Sequence, residues 1–254
     1  FMGDSQTLTK AGVQRQVYLQ NAAAVMIPFV FVFGVSAWLM LKSVPVKANF
    51  AQQFDIFRSR HTWSMTSLYI MTFGAFSGLS ATFPLLIKQI YGGFEGAPDP
   101  LAWAFWGPLV GSAARVVAGP LSDKFGGARV THWAGLGMLG ATLWVTTLTS
   151  PTGLDSFPMF VAGMLTLFFF AGVGNASTFK QMPMLFEPRQ AGGVIGFTAA
   201  IAAYGPFLFG MLFAASFGAF KSATPVFYGL AAFFAFNVVL NWWMYARRGA
   251  ANPC

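Results

Sequence analysis

The sequence predicts an all-α membrane protein with seven transmembrane helices, and three observations support this fold class. The 254 residues are 56% hydrophobic and only 9% charged, whereas soluble domains carry about 25% charged residues. The apolar residues form seven runs, each of about the 20 residues that a helix needs to cross a bilayer core of about 30 Å. The Lys and Arg residues lie mostly in the short connections between these runs, which is typical of membrane proteins.

The expected spans follow one another through short connections that contain helix breakers. They cover residues 18–42, 63–90, 101–122, 130–149, 156–180, 191–217 and 222–246. Glycine and proline interrupt the apolar pattern most clearly at 92–100 and 150–153. The predicted organisation is an N-terminal segment (1–17), one transmembrane helix (18–42), a loop (43–62), a six-helix bundle (63–246) and a tail (247–254).

The basic residues of the connections predict the orientation in the membrane. One side carries Lys42, Lys47, Arg58, Arg60, Lys124, Arg129, Lys180, Arg189, Arg247 and Arg248, and the other carries Lys10, Arg15, Lys88 and Lys221. The richer side is expected to be cytoplasmic. Residues 1–17 are then extracytoplasmic, and 43–62 and 247–254 are cytoplasmic, in a multi-pass protein of the cell inner (plasma) membrane. Because the polar start of the chain does not form a signal peptide, an external N-terminus leads us to expect further helices upstream.

The composition also argues against several classes of function. The net charge of +8 would suit nucleic acid, but the basic residues are not clustered on one surface, so no nucleic-acid partner is expected. A single cysteine, Cys254, can form neither an internal disulfide nor a thiolate metal site. His61 and His132 lie far apart without paired carboxylates, so we expect no enzyme, no metal and no cofactor. A retinal protein would need a lysine inside the last span, whereas Lys221 lies at its edge.

Arg115 is the one basic residue well inside an expected span. An arginine near the bilayer centre costs roughly 2.5–3.5 kcal/mol, and all seven acidic residues lie in loops or tails. Gly107, Gly111 and Gly119 recur along nearly the same stripe of the helix, which indicates close helix contact or a cavity wall. Two interpretations stay open. Arg115 is either a structural arginine bonded to carbonyl groups, or a buried ligand whose counter-ion is an anionic substrate.

Two further spans contain small and polar residues at unusual density. Residues 172–183 include Asn175, and both helix packing and substrate contact are open interpretations for this segment. Residues 192–206 carry a ridge that includes Gly192 and Gly196, for which packing is the default interpretation. The Gly205-Pro206 pair predicts a loosened or kinked helix. In this chain alone, the glycine-rich faces at 107–119 and 192–200 are expected to lack partners.

The stretch 119–129, Gly-Pro-Leu-Ser-Asp-Lys-Phe-Gly-Gly-Ala-Arg, resembles the signature loop of the major facilitator superfamily. A tight turn between two helices needs glycine, an acid near a helix end is stabilised there, and the basic residues face the cytoplasm. The loop lies between the third and fourth expected spans, on the predicted cytoplasmic side. We therefore expect a conformational role for Gly119, Asp123, Lys124, Gly126 and Arg129.

Residues 107–115, followed by this loop, resemble the nitrate/nitrite porter family. The stretches 67–78, 174–180 and 196–207 support the resemblance, and their order and spacing are similar to that family from its sixth helix to its end. The family is a twelve-helix transporter with a central anion site between its two halves. The resemblance therefore implies that this chain is the C-terminal half of a major facilitator fold, with 18–42 as the sixth helix.

The same resemblance implies roles for individual residues. Arg115 would be the anion-binding arginine of this half, Tyr69 a hydrogen-bond donor to the anion, and Phe73 an aromatic wall that stacks on it. Spacing alone would assign Tyr69 and Phe73, four residues apart on one helical face, to packing. Ala202 and Pro206 stand where relatives carry glycine.

The expected function is transport of nitrate and/or nitrite by alternating access, either as antiport or as proton-coupled uptake. A planar guanidinium fork and aromatic faces suit a flat, singly charged anion. The candidate substrate-binding residues are Arg115, Tyr69, Phe73 and Asn175. The expected partners are the anion, the missing N-terminal half with a second arginine, and the lipid bilayer. A major facilitator transporter of an organic anion is the alternative.

Overall fold

The chain divides into two units, Phe1–Lys47 and Ala48–Cys254. The computed structural model describes residues 6–10, 13–18, 21, 24–42 and 50–250. The predictions for residues 43–49 of the loop 43–62, which include Lys47, and for Cys254 lie outside the described residues.

The first unit contains a β-hairpin and one apolar helix. Strands β1 (Gln6–Lys10) and β2 (Val13–Val17) pair antiparallel, with Gln6 opposite Val17. The prediction of an all-α chain is therefore wrong for this stretch, which lies outside the expected transmembrane helices and in which four of the ten strand residues (Thr7, Thr9, Val13 and Val17) are β-branched and so favour a strand. Helix α1 (Met26–Met40) has 15 residues, or about 22 Å at 1.5 Å per residue, and is shorter than the expected span 18–42.

The second unit is helical throughout its regular structure. Its elements are a 3₁₀ segment (Phe50–Arg58), α2 (Arg60–Tyr69), a π-helical segment (Ile70–Gly74), α3 (Ala75–Tyr91), α4 (Pro100–Trp103), α5 (Trp106–Phe125), α6 (Gly127–Thr146), a 3₁₀ turn (Leu154–Ser156), α7 (Phe157–Met184), α8 (Pro188–Ala202), α9 (Gly205–Phe220), α10 (Thr224–Asn241) and a second π-helical segment (Trp242–Ala246).

Five helical stretches in the described residues are long and apolar enough to cross a membrane. They are Arg60–Tyr91, Pro100–Phe125, Leu154–Met184, Pro188–Phe220 and Thr224–Ala246. They correspond to five of the seven spans expected from the sequence. Helix α6 corresponds to the expected span 130–149. Its 20 residues are enough to cross a bilayer core, but its mean hydropathy is lower than that of the five stretches above.

Helix α7 packs against both α5 and α6, and glycines make the approach to α5 very close. A Cβ atom on Gly172 would lie 2.1 Å from the carbonyl oxygen of Gly111, so neither helix has room for a side chain there. Helix α10 packs on α6, and α9 packs on α3. These contacts bring α2, α5 and α7 together around the residues singled out by the sequence.

The predicted tight turn joins α5 directly to α6. Gly126 adopts φ 89° between the two helices, a conformation that glycine reaches without a steric cost. Asp123 forms an ion pair with Lys180 near the end of α7. The turn and this ion pair together tie the signature loop to the neighbouring helix.

The helix that contains Gly205-Pro206 is interrupted, as the sequence predicted. Helix α8 ends at Ala202 and α9 begins at Gly205, with Pro206 in its first turn. A Cβ atom on Gly205 would lie 2.2 Å from the carbonyl oxygen of Gly74. The break in one helix therefore packs directly against the π-helical segment of the other.

Candidate functional site

One guanidinium and three aromatic rings meet where α2, α5 and α7 adjoin. The Cζ atom of Arg115 lies 6.0 Å from the centroid of the Phe179 ring. The ring of Tyr69 lies 6.2 Å from that of Phe179. Tyr69 in turn stacks on Phe73, with centroids 5.3 Å apart and planes 18° from parallel. The structure therefore brings Arg115, Tyr69 and Phe73 into one cluster, and it adds Phe179 to them.

The local backbone explains the position of the stacked pair. Tyr69 is the last residue of α2, and Phe73 belongs to the π-helical segment Ile70–Gly74. Segments of this kind are rare and occur frequently at functional sites. Tyr69 is buried, with 3% of its surface exposed, and its hydroxyl forms no hydrogen bond to another described residue.

Arg115 is exposed in this chain, so the expectation that it is buried is wrong here. The neighbouring Val116 and Val117 are also largely exposed, and no atom lies within 4 Å of where a Cβ on Gly119 would be. The physical reason is that α7 covers only the glycine face of α5, where Gly111 lies. Arg115 thus faces open space beside the Phe179 ring.

No carboxylate in the described part of the chain pairs with Arg115. The two ion pairs described there join Lys180 to Asp123 and Arg189 to Asp55. Arg115 remains a charged group whose described neighbours are aromatic rather than acidic. A cation in this setting attracts an anion without competition from an internal carboxylate.

Asn175 differs from the polar residues around it on α7. It is 1% exposed, and neither its amide nitrogen nor its amide oxygen has a hydrogen-bond partner among the described residues. By contrast, Ser177 lies 2.7 Å from the hydroxyl of Thr131, and Thr178 lies 3.2 Å from that of Thr72. Hydrogen bonds between helices therefore explain the polar residues that follow Asn175, but the polar atoms of Asn175 itself are unsatisfied. An unsatisfied buried polar group lowers the stability of the folded state.

No family model matches the chain, but individual proteins match it clearly. It is 62% identical over 254 residues to the Probable nitrate/nitrite antiporter NarK2 of Thermus thermophilus, covering 100% of this chain and 57% of the relative. It is 32% identical over 256 residues to the Nitrate/nitrite transporter NarU of Escherichia coli (strain K12), covering 91% and 54%. It is 30% identical over 193 residues to the Nitrite extrusion protein of Bacillus subtilis (strain 168), covering 75% and 46%.

The chain belongs to the nitrate/nitrite transporter family. This confirms the resemblance stated from the sequence. The family is one of multi-pass membrane proteins of the major facilitator superfamily and not of enzymes. The chain spans about half the length of the curated relatives it matches.

The glycines of this chain fall into two groups. A Cβ on Gly107 would lie 2.3 Å from Phe168, and one on Gly111 would lie 2.4 Å from Phe76. The expectation that the face 107–119 lacks partners is therefore wrong at these two positions, because they pack inside the chain. Gly192 and Gly196, like Gly119, have no atom within 4 Å of a Cβ position, so their packing role remains a prediction.

Phe179 is the residue of the cluster that sequence reasoning missed. It lies within the stretch 174–180 that supported the resemblance, but only its approach to Arg115 distinguishes it from the chain's 30 Phe residues. One signal was available, since Phe179 lies four residues after Asn175 and therefore on the same helical face.

The described residues contain no group of three or more His, Cys, Asp or Glu side chains that could hold a metal ion. The chemistry of the cluster is thus that of a guanidinium, a phenol hydroxyl and aromatic faces.

Proposed function

We propose that this chain is the C-terminal half of a nitrate/nitrite transporter, and that it provides one side of the anion site. The proposal takes α1 as the sixth helix of the complete fold and the larger unit as helices seven to twelve. The names of the relatives and the half-length coverage of each support it. The missing N-terminal half would complete the cavity, since transporter sites of this kind lie between repeats near the midplane.

The observation that carries the proposal is an arginine that faces open space, without a described carboxylate partner, beside the Phe179 ring, which in turn adjoins the stacked pair of Tyr69 and Phe73. In the proposed site, Arg115 donates two parallel hydrogen bonds to the flat anion. Tyr69 donates a third from its hydroxyl. Phe73 and Phe179 limit the site to a planar anion. The amide of Asn175, one turn before Phe179 on α7, is a further candidate ligand.

The proposed mechanism is nitrate/nitrite exchange rather than proton-coupled uptake. Proton relays in membranes use embedded carboxylates, and the acids of the described spans, Asp123 and Asp155, lie near helix ends. Proton-coupled uptake is the competing mechanism. It predicts that nitrate entry into vesicles acidifies the lumen in step with flux, because protons enter with the anion, whereas exchange predicts flux only when the opposite side contains nitrite or nitrate.

The signature loop has a separate, conformational part in this proposal. The ion pair between Asp123 and Lys180, with the tight turn at Gly126, holds the inner ends of α5 and α7 together in the state described here. Lys124 and Arg129 would face the cytoplasm beside it. The open ridge of Gly192 and Gly196 is proposed to slide against the N-terminal half as the transporter alternates.

Substitution of Arg115 in the complete transporter tests the anion site. Arg115→Lys keeps the charge but loses the planar fork, and Arg115→Ala loses both, so each should weaken nitrate binding while the protein still reaches the membrane. Loss of a charge-assisted interaction of about 1.5–3 kcal/mol corresponds to roughly ten- to a hundredfold in affinity. Arg60→Lys, at an exposed arginine outside the cluster, is the matched control.

Expression level and nitrate affinity must both be measured. A structural arginine would lower the folded yield and leave the affinity of the remaining molecules unchanged. Wild-type affinity in Arg115→Ala would end the anion-ligand proposal. Displacement of nitrate by a small carboxylate at equal concentration would instead favour the alternative, a transporter of organic anions.

A further inference from the structure

A basic pocket lies at the end of the bundle where α6 begins and α10 ends. It is lined by Arg129, His132, Trp133, Trp242, Ala246, Arg247 and Arg248, and its volume is about 650 Å³. Three of these side chains are arginines, and none is acidic. This basic pocket is separate from the cluster around Arg115, with which it shares no residue.

The cations of the basic pocket have no described anionic partner. Among residues 50–250, no carboxylate pairs with Arg129, Arg247 or Arg248. Arg247 places its guanidinium 4.3 Å from the centroid of the Trp243 ring. Its Nε atom is buried without an acceptor, and Nδ1 of His132 is buried without a partner. An arginine Nε–H can only donate, so Arg247 brings to the pocket a donor that no described group satisfies.

Two apolar grooves continue from the basic pocket, one on each side of α6. The first shares Arg129 and Trp133 with the pocket and extends past Phe125 and Phe170, with a volume of about 340 Å³. The second shares His132 and Trp242 with it and extends along Val238 and Val239, with a volume of about 280 Å³. Trp133 and Trp242 stand between polar and apolar parts, where indoles are common at the membrane interface.

We propose that the basic pocket binds the phosphate headgroup of an anionic phospholipid whose two acyl chains lie in the two grooves. The charge of the pocket selects an anion, and basic pockets between transmembrane helices suit anionic headgroups. The paired grooves select a ligand with two hydrocarbon chains. Inorganic phosphate or nitrate would satisfy the arginines but would leave both grooves without an occupant.

The first test compares lipids on the purified protein in detergent by native mass spectrometry. Phosphatidylglycerol with two oleoyl chains should bind at least about tenfold more tightly than the matched phosphatidylcholine, because only the former has a net negative headgroup. Its single-chain lyso form should bind more weakly than the two-chain lipid. Equal binding of the two headgroups, or displacement of the two-chain lipid by millimolar inorganic phosphate, would overturn the proposal.

The second test places the site. Arg247→Gln and Arg129→Gln should each reduce the preference for phosphatidylglycerol by about tenfold. Arg58→Gln removes the same charge at an exposed position on the same predicted side of the membrane and should leave the preference unchanged. An equal loss in Arg58→Gln would mean that general surface charge binds the lipid.

A third variant keeps the test decisive if an arginine variant fails to fold. Val239→Trp alters no charge and narrows the second groove at a side chain that is 63% exposed. It should weaken binding of the two-chain lipid and leave the single-chain form unaffected. Unchanged affinity for the two-chain lipid would refute the assignment of this groove to an acyl chain.

Discussion

Gly172→Ala should destabilise the protein by forcing α5 and α7 apart. The added Cβ would lie 2.1 Å from the carbonyl oxygen of Gly111 and 2.9 Å from its Cα, whereas ordinary contact begins at 3.4 Å, so α5 must retreat by about 1.3 Å. Overpacking typically costs about 1–3 kcal/mol. The upper part of that range is expected because the clash is with backbone rather than with a side chain that can rotate. At about 2–4 °C per kcal/mol for a unit of this size, the Tm should fall by about 5–10 °C.

The matched control is Gly119→Ala, which makes the same change on α5 itself. No atom lies within 4 Å of the Cβ position at Gly119, and alanine favours a helix by up to about 1 kcal/mol over glycine. This control should be neutral or slightly stabilising in the same thermal unfolding assay in detergent. Arg115 and Phe179 lie on the two helices that Gly172→Ala would separate, so nitrate affinity should also fall. Equal Tm values for the two variants would refute the reasoning.

Three further predictions address other features. Asn175→Leu removes a buried amide without described hydrogen bonds, so it should leave the Tm unchanged or raise it while weakening nitrate binding; a lower Tm with unchanged affinity would assign Asn175 to packing instead. The Arg189 guanidinium, through its hydrogen bond, holds the pKa of Asp55 below its ordinary value. The stabilisation from this pair is therefore present at neutral pH and disappears as the pH falls through the lowered pKa; Asp55→Asn should flatten this part of the acid profile of the Tm, and an unaltered profile would contradict the assignment. A membrane-impermeant thiol reagent should leave Cys254 unlabelled in intact cells, as the excess of basic residues on its side predicts; ready labelling would reverse the orientation.

The family could be recognised from the sequence because its motifs are local. The signature loop at 119–129 and the stretch before it need no knowledge of tertiary contacts, and the relatives confirm the assignment. The part of the candidate site that came from this recognition, Arg115 with Tyr69 and Phe73, does lie together in the structure. Its role in binding stays a prediction.

The exposure of Arg115 could not be predicted in the same way. Spacing along the helix places it on a stripe with Gly107, Gly111 and Gly119, and such a stripe indicates close helix contact or a cavity wall. The structure divides the stripe, because Phe168 and Phe76 fill the space beside the first two glycines while α7 leaves Gly119 and Arg115 uncovered. Periodicity specifies which residues share a face but not how far a neighbouring helix extends along it.

The sequence by itself determined five of the long apolar helices, the glycine turn at Gly126 and the break before Gly205. Each of these follows from hydrophobic length or from the backbone conformations that one or two residues permit. Only the tertiary structure decided that Phe179 lies beside Arg115, that Asn175 is left without a partner, and that Arg129 and Arg247 line one pocket. Phe179 and Arg115 are distant in sequence, as are Arg129 and Arg247. Asn175 is distinguished from the other polar residues of α7 only by the absence of described hydrogen-bond partners around it. Their properties therefore depend on how the helices pack, which local sequence patterns do not specify.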